Sequence, residues 1–201
     1  MGWMASWIAV KGVPKAALFE ALGVRETDEE VYPGTRGEGL GYAQSPDGWI
    51  ILFSEEFDWA DRERVLELSR LGPTVGLQFE DKIEMTSVAT GARDGVELWR
   101  VYHDNAGREL EVSGEPPPEF AAIRDRLFKE QADAAGETLR TDYLHDIPLE
   151  VAKAACGYRA DDWEEPFIGL EDPLAAARAA ELAAERAARP GFFSRLFGRR
   201  G

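Results

Sequence analysis

Apolar and polar residues alternate along the first part of the chain in blocks that predict strands and helices in turn. The apolar, aromatic run over residues 3–10 is too short for a buried helix and predicts a buried strand. Pro14 then opens a stretch with Leu18 and Leu22 on one face, which predicts a helix. Residues 24–39 are rich in Glu, Asp, Gly and Pro, so we expect an exposed loop there.

A hairpin and a second helix are predicted next. The Ser-Pro-Asp-Gly turn at 45–48 precedes the apolar run 49–53, and its Pro and Gly supply the backbone conformations that a tight turn needs. Asp58 is a candidate N-cap for a helix that ends at Leu71. Residues 74–80 alternate apolar and polar side chains, as a half-buried strand does. The elements therefore follow the order β-α-β-β-α-β, which is that of the ferredoxin-like split βαβ unit.

Two more turn signals extend the predicted sheet. Asp-Gly at 94–95 and Asp-Asn-Ala-Gly at 104–107 separate strand-like runs over 83–90, 96–103 and 109–113. Short turns between successive strands favour antiparallel pairing. We therefore expect the sheet to continue as an antiparallel meander.

Two helices are predicted after the meander. The first begins after the prolines at 116–118, and residues 134–141 then indicate a linker. The second spans 148–156, with Asp146 as its N-cap. Residues 1–172 are thus expected to form one α+β domain, an antiparallel sheet with its helices on one face. Four side chains share one side of the first of these helices, namely Phe120, Ile123, Leu127 and Gln131.

The composition changes abruptly beyond residue 172. Residues 174–189 are mostly Ala with Arg and Glu, which predicts a separate C-terminal helix that buries little. Pro190 breaks this helix, and the last residues combine Phe with Arg, as an interfacial anchor or a docking peptide does. We expect the segment 173–201 to be flexible and its tip to bind a protein partner, the acidic body or, weakly, a membrane surface; an end without a role is the alternative. The tip residues are Phe192, Phe193, Arg195, Leu196, Phe197, Arg199 and Arg200.

Charge is spread unevenly between these two parts. Acidic residues outnumber basic ones 38 to 23, which gives a net charge of −15. Residues 173–201 hold six Arg and two Glu, so residues 1–172 carry 17 basic and 36 acidic side chains, a net charge of −19. A field of this sign repels nucleic acid and attracts basic proteins. We therefore expect a basic protein partner and no nucleic acid.

Clusters of carboxylates are candidate contacts for such a partner. They lie at 26–30, 55–58 and 161–165, and the last two adjoin Trp59 and Trp163, aromatic anchors of the kind that binding hot spots favour. Solvated surface is the alternative for each cluster. The partner-binding residues predicted in the body are Glu55, Glu56, Asp58, Trp59, Asp161, Asp162, Trp163, Glu164 and Glu165.

No pattern typical of a catalytic or cofactor site occurs in the sequence. It contains no Gly-x-Ser-x-Gly elbow, no phosphate-binding loop, no dinucleotide fingerprint and no EF-hand spacing. The two histidines, His103 and His145, each precede an aspartate, but their spacing matches no metal site. Cys156 is the only cysteine, so no intrachain disulfide can form, and it is expected to be buried. We therefore expect no catalytic residue, cofactor or metal; an enzyme that works from a carboxylate pair is the alternative.

Location and functional class follow from the same features. The start of the chain lacks a secretory signal and no apolar run is long enough to span a bilayer, so a cytoplasmic location is expected. High Ala and Arg contents favour a GC-rich bacterial source. The leading hypothesis is a non-enzymatic protein-binding or regulatory domain, and immunity proteins and antitoxins are examples of that class. The second hypothesis is an adaptor that the C-terminal tail tethers to a membrane surface or a larger complex.

Overall fold

One antiparallel sheet of nine strands, with four α-helices, forms the part of the chain that the computed structural model describes. The fold is therefore α+β, as predicted. The described residues are 3–34, 39–81, 85–105, 109–134, 142–163 and 165–173. The predicted C-terminal helix lies outside them.

The strands are numbered in chain order. They are β1 (Met4–Lys11), β2 (Arg25–Val31), β3 (Leu40–Gln44), β4 (Trp49–Ser54), β5 (Thr74–Glu80), β6 (Thr86–Arg93), β7 (Val96–Asp104), β8 (Glu109–Gly114) and β9 (Phe167–Glu171). The helices are α1 (Lys15–Leu22), α2 (Arg62–Leu68), α3 (Phe120–Asp133) and α4 (Asp146–Cys156). Short 3₁₀ turns cover Phe57–Ala60, Tyr143–His145 and Ala160–Asp162.

The strands lie in the order β2-β9-β3-β4-β1-β5-β6-β7-β8, and every neighbouring pair is antiparallel. Strand β1 lies in the middle, where Ser6 is opposite Ser54 of β4 and Met4 is opposite Glu80 of β5. Strands β5 to β8 follow one another in space as they do in sequence. The predicted antiparallel meander is confirmed for these strands.

Both faces of the sheet are covered by helices. Trp7 of β1 packs in one core with Leu127 of α3 and Val151 of α4. Ile8 packs in a second core, on the α1/α2 face, with Leu18 of α1 and Val65 of α2. Side chains of a strand alternate between its two faces, so neighbouring residues of β1 enter different cores. The prediction of helices on one face is therefore wrong. The unbroken apolar run of β1 is typical of a strand that is buried on both sides.

The segment predicted as a loop over residues 24–39 contains strand β2. Its local composition is that of a loop, but β9, far away in the sequence, pairs with it: Glu26 is opposite Leu170 and Val31 is opposite Phe167. Long-range pairing of this kind overrides a weak local preference. The predicted β-α-β-β-α-β order is consequently interrupted, because β2 is inserted between α1 and β3.

Two predicted helix caps are wrong. Asp58 lies within a 3₁₀ turn, and the N-cap of α2 is Asp61, whose Oδ1 accepts a hydrogen bond of 2.8 Å from the backbone N–H of Arg64. Helix α2 also ends at Leu68, three residues before the predicted end. Asp146 is the first residue of α4 rather than its cap. The four side chains predicted to share one side of α3 do so: Phe120, Ile123 and Leu127 pack in the core, and Gln131 accepts from the backbone N–H of Tyr143.

Candidate functional site

A cleft with a volume of about 280 Å³ lies on the α4 face of the sheet, beside the middle of β1 and β5. We call it the Trp7 cleft. Its floor is the sheet, one wall is the first turn of α4, and the other is the segment that follows that helix. The lining residues are Trp3, Trp7, Leu77, Phe79, Asp81, His145, Asp146, Leu149, Arg159, Ala160 and Asp161.

Aromatic rings form the inner part of the Trp7 cleft. Trp3 packs edge-on against Phe79 with ring centroids 4.9 Å apart, and Trp7 packs edge-on against Tyr158 at 5.1 Å. Trp7 and Tyr158 are fully buried. The Nε1–H groups of Trp3 and Trp7 are buried and have no acceptor among the described residues. A buried donor without an acceptor is costly, and the neighbouring Tyr158 hydroxyl and Trp163 Nε1–H are also buried without a partner among the described residues.

Arg159 joins the two walls of the cleft. Its Nε donates to Asp161 at 2.7 Å, Nη1 to Glu150 at 3.1 Å and Nη2 to Asp146 at 3.3 Å. Burial opposes the charged form of Arg159, but the hydrogen bond with Asp161 and the nearby carboxylates raise its pKa overall. The guanidinium therefore stays charged and holds Asp161 and the first turn of α4 in one arrangement.

Burial moves the pKa values of His145 and Asp146 away from those of exposed side chains, in opposite directions. Burial lowers the pKa of His145, and burial raises the pKa of Asp146 against the opposing effect of Arg159. Nε2 of His145 lies 3.2 Å from the carbonyl oxygen of Glu80. Because a carbonyl only accepts, this nitrogen carries the proton, and His145 is a neutral donor at neutral pH.

A pair of polar side chains, His103 of β7 and Asp142, links the turn before α4 to the sheet. Nε2 of His103 lies 2.9 Å from Oδ2 of Asp142, and Oδ1 of Asp142 accepts from the backbone N–H of Leu144 at 3.1 Å. Burial raises the pKa of Asp142, but the hydrogen bonds with His103 and Leu144 and the nearby imidazoles together lower it overall. His103 is fully buried, so its imidazole is not open to a substrate. Nothing in the spacing of the two residues signals this contact, because the fold alone brings them together.

Within the described residues, no group of three or more His, Cys, Asp or Glu side chains is arranged to hold a metal ion. Cys156 is buried, as predicted, and burial raises the pKa of its thiol to about 12. A thiol in that state is a poor nucleophile at neutral pH.

The predicted cluster at 55–58 lies on the α1/α2 face. Glu56 and Asp58 are exposed, and Glu55 is half-buried. Trp59 packs against the core of that face, with the guanidinium of Arg64 5.0 Å from its ring centroid. Its ring is partly buried within the chain, and its role as an anchor stays a prediction.

The predicted cluster at 161–165 lies on the opposite face, so the fold does not bring the two clusters together. Asp161 and Asp162 are exposed beside the Trp7 cleft. Trp163 packs on Tyr158, with ring centroids 5.5 Å apart. Glu165 is exposed, whereas Glu164 and all the tip residues of the tail lie outside the described residues.

The cluster at 26–30 forms one edge of the sheet. We call the side chains of Glu26, Asp28, Glu29 and Glu30 the acidic edge; all four are exposed, and β2 pairs only with β9 among the described strands. Glu26 is bonded to Lys15 and accepts from the Tyr42 hydroxyl at 2.5 Å. Asp28 and Glu29 form no salt bridge with any described residue.

No bilayer-spanning helix is found among the described residues.

Comparison with known proteins adds no family to these observations: no protein-family model, no curated protein and no solved structure matches the chain.

Proposed function

We propose that the chain is a non-enzymatic protein-binding domain whose acidic edge binds a basic segment of another protein. One observation carries the proposal: the terminal strand of a nine-stranded sheet bears four exposed carboxylates in seven residues. An acidic surface loop is common, but an acidic strand that pairs on one side only among the described strands offers two kinds of contact at once.

The backbone of β2 supplies the first kind of contact. On the side away from β9 it pairs with no other described strand, so an extended peptide can add there as an additional strand. The register of β2 on β9 shifts between Glu26 and Glu30, and the N–H of Glu29 donates to Oγ1 of Thr27, so we expect the peptide to pair mainly at the two ends of β2. Such pairing gives affinity without requiring a particular sequence, so specificity must come from the side chains.

The carboxylates supply the second kind of contact. Like charges on directly opposite residues of paired strands are destabilising, so a second copy of the acidic edge is a poor partner. A strand that carries Lys or Arg is favoured instead. The net charge of −19 over residues 1–172 adds a field that speeds the approach of such a partner.

The cluster at 161–165 extends this surface. Glu165 lies two residues before Phe167, which is opposite Val31 at the end of β2. A basic segment along β2 can therefore continue toward Glu165 and Asp162. The cluster at 55–58 lies on the other face of the sheet and is not part of this proposal. Inhibitors of the immunity or antitoxin type would use a surface of this kind.

The fold that carries the acidic edge is also part of the proposal. We propose that β1, β3, β4 and β5 with α1 and α2 form a ferredoxin-like split βαβ unit into which β2 is inserted. The strand order β5-β1-β4-β3, antiparallel throughout, and the position of both helices in one core support it.

The test compares two charge reversals at opposite edges of the sheet. The double variant Asp28→Lys/Glu29→Lys alters the acidic edge, and Glu111→Lys/Glu115→Lys makes the same change in charge on and next to β8, the other edge strand. Both pairs are exposed. Each full-length protein is used to capture a partner from its native host, and affinity for the purified partner is then measured by calorimetry at several salt concentrations.

We expect the β2 variant to lose at least tenfold in affinity, about 1.4 kcal/mol, and the β8 variant to bind as the parent does. Hydrogen exchange should slow in residues 25–31 when the partner binds, because their outward amides become bonded. Equal loss in both variants would indicate a general effect of charge, and unchanged exchange in β2 would refute strand pairing.

A further inference from the structure

We propose that the Trp7 cleft binds a small amine with a flat apolar body, an ammonium group and a hydrogen-bond acceptor. This site is separate from the acidic edge. Asp161, at the rim of the cleft, is the one lining residue that also belongs to the cluster at 161–165. Three properties of the cleft lead to this class of ligand.

The first property is the shape and composition of the inner wall. Trp3, Trp7, Leu77, Phe79 and Leu149 surround a volume of about 280 Å³, close to the lower limit of pockets that hold small molecules. Aromatic rings favour a flat apolar body against them, and a tryptophan face attracts a cation as well.

The second property is the charge of the rim. Asp81, Asp146 and Asp161 contribute three carboxylates, and Arg159 contributes the one guanidinium among the lining residues. His145 is neutral, and the hydrogen bonds of Arg159 go to carboxylates of its own chain. An excess of carboxylates favours an ammonium ion and disfavours an anion.

Burial at Asp146 supports the same assignment. Its carboxylate is partly removed from water, which raises its pKa, and Arg159 offsets this only in part. A bound ammonium ion would stabilise the charged form of Asp146.

The third property is the pair of buried indole donors. Trp7 lines the cleft and is fully buried, yet its Nε1–H has no acceptor among the described residues, and the same holds for Nε1–H of Trp3. A ligand oxygen that accepted from either group would remove the cost of an unbonded donor. This requirement distinguishes the proposed ligand from a simple hydrophobic amine.

The experiment uses three matched probes and the full-length protein. Tyramine has the aromatic body, the ammonium and an oxygen; phenethylamine lacks the oxygen; 3-(4-hydroxyphenyl)propionate replaces the ammonium with a carboxylate. Binding is followed by the indole Nε1–H resonances in ¹⁵N-correlated NMR spectra, with Trp7→Phe identifying the Trp7 signal.

We expect tyramine to bind with a Kd of about 1 mM or tighter and to move the Trp7 or Trp3 resonance. Phenethylamine should bind several-fold more weakly, and the carboxylate probe should not bind. In the Trp7→Phe or Trp3→Phe variant, the difference in affinity between tyramine and phenethylamine should shrink. The reason is that the indole N–H group that donates to the tyramine oxygen is absent.

A charge variant tests the rim separately. Asp146→Asn should weaken tyramine about tenfold, whereas Asp47→Asn, in the exposed turn between β3 and β4, should not change it. The comparison of probes on the unaltered protein stands even if Asp146→Asn fails to fold. No shift of either indole resonance with tyramine at about 10 mM, or equal binding of the carboxylate probe, would overturn the proposal.

Discussion

Gly76 of β5 provides a sharp test of how α2 packs on the sheet. A Cβ atom at this position would lie 2.3 Å from Cγ2 and 3.6 Å from Cβ of Val65, which is buried in α2. Gly76 is also opposite Ile8 in the middle of the sheet, so its backbone cannot move away without disturbing β1. The absence of a side chain is therefore what lets α2 approach β5.

The cost of adding one methyl group follows from this distance. Carbon atoms pack best at about 3.5–4.0 Å, so Gly76→Ala requires a displacement of more than about 1 Å in a closely packed core. Overpacking of this kind costs about 1–3 kcal/mol. Val65→Ala removes two buried methyl groups and should cost about 2 kcal/mol. In the double variant the new methyl occupies part of the space that Val65 vacates, so the two costs should not add.

The assay is urea unfolding followed by circular dichroism, with the free energy of unfolding taken from the midpoint at constant slope. We expect the double variant to be more stable than the sum of the single effects by about 1 kcal/mol or more. Gly39→Ala is the control, since its Cβ would lie 3.5 Å from Cγ2 of Val31, an ordinary contact. Additive costs within about 0.5 kcal/mol would refute the close approach of α2 to β5 at this point.

Three further outcomes are expected. Asp61→Ala should lower the free energy of unfolding by about 1 kcal/mol, because the N–H of Arg64 loses its cap; a thermal melt measures this, and no change would contradict the assigned cap. Burial lowers the pKa of His145 below its ordinary 6.5, so the contribution of this side chain to the free energy of unfolding is complete above pH 6.5 and is lost as the pH falls through the folded-state pKa. Between pH 7 and pH 5, the His145→Gln variant should therefore lose less stability than the parent. Asp146 is present in both proteins, so equal losses would exclude His145 as the origin. Cys156, whose pKa burial raises to about 12, should react with a thiol reagent only after denaturation, and rapid labelling of the native protein would contradict its burial.

Local patterns predicted those parts of the fold in which neighbours in sequence are neighbours in space. The turns at 45–48 and 94–95 give hairpins because Pro, Asp and Gly fix the backbone there, and the alternation over 74–80 gives β5. The failures arise where distant residues decide. Residues 25–31 have the composition of a loop and become a strand only because β9 is available to pair with them.

The same reason explains what could be predicted of the candidate sites. The cluster at 26–30 was visible as a run of acids, and only its place at an edge of the sheet was missing. The Trp7 cleft was not visible, because Trp7 is contributed by β1 and the polar rim by Asp81 and residues 145–161, which are distant in sequence. An apolar run such as residues 3–10 predicts a buried strand, but it does not indicate which side chains will have an N–H group without an acceptor.

The place of β9 has a consequence for the order in which the chain can fold as it is synthesised. Arg25 pairs with Glu171, 146 residues later, and β9 separates β2 from β3. Until residues 167–171 have left the ribosome, β2 has no strand to pair with and the outer side of β3 is open. Strands that are so far apart in sequence pair late in folding, because closing a long loop costs conformational entropy. We expect the carboxylates on β2 to protect the chain during this interval, since an unpaired strand is least prone to aggregate when it is highly charged.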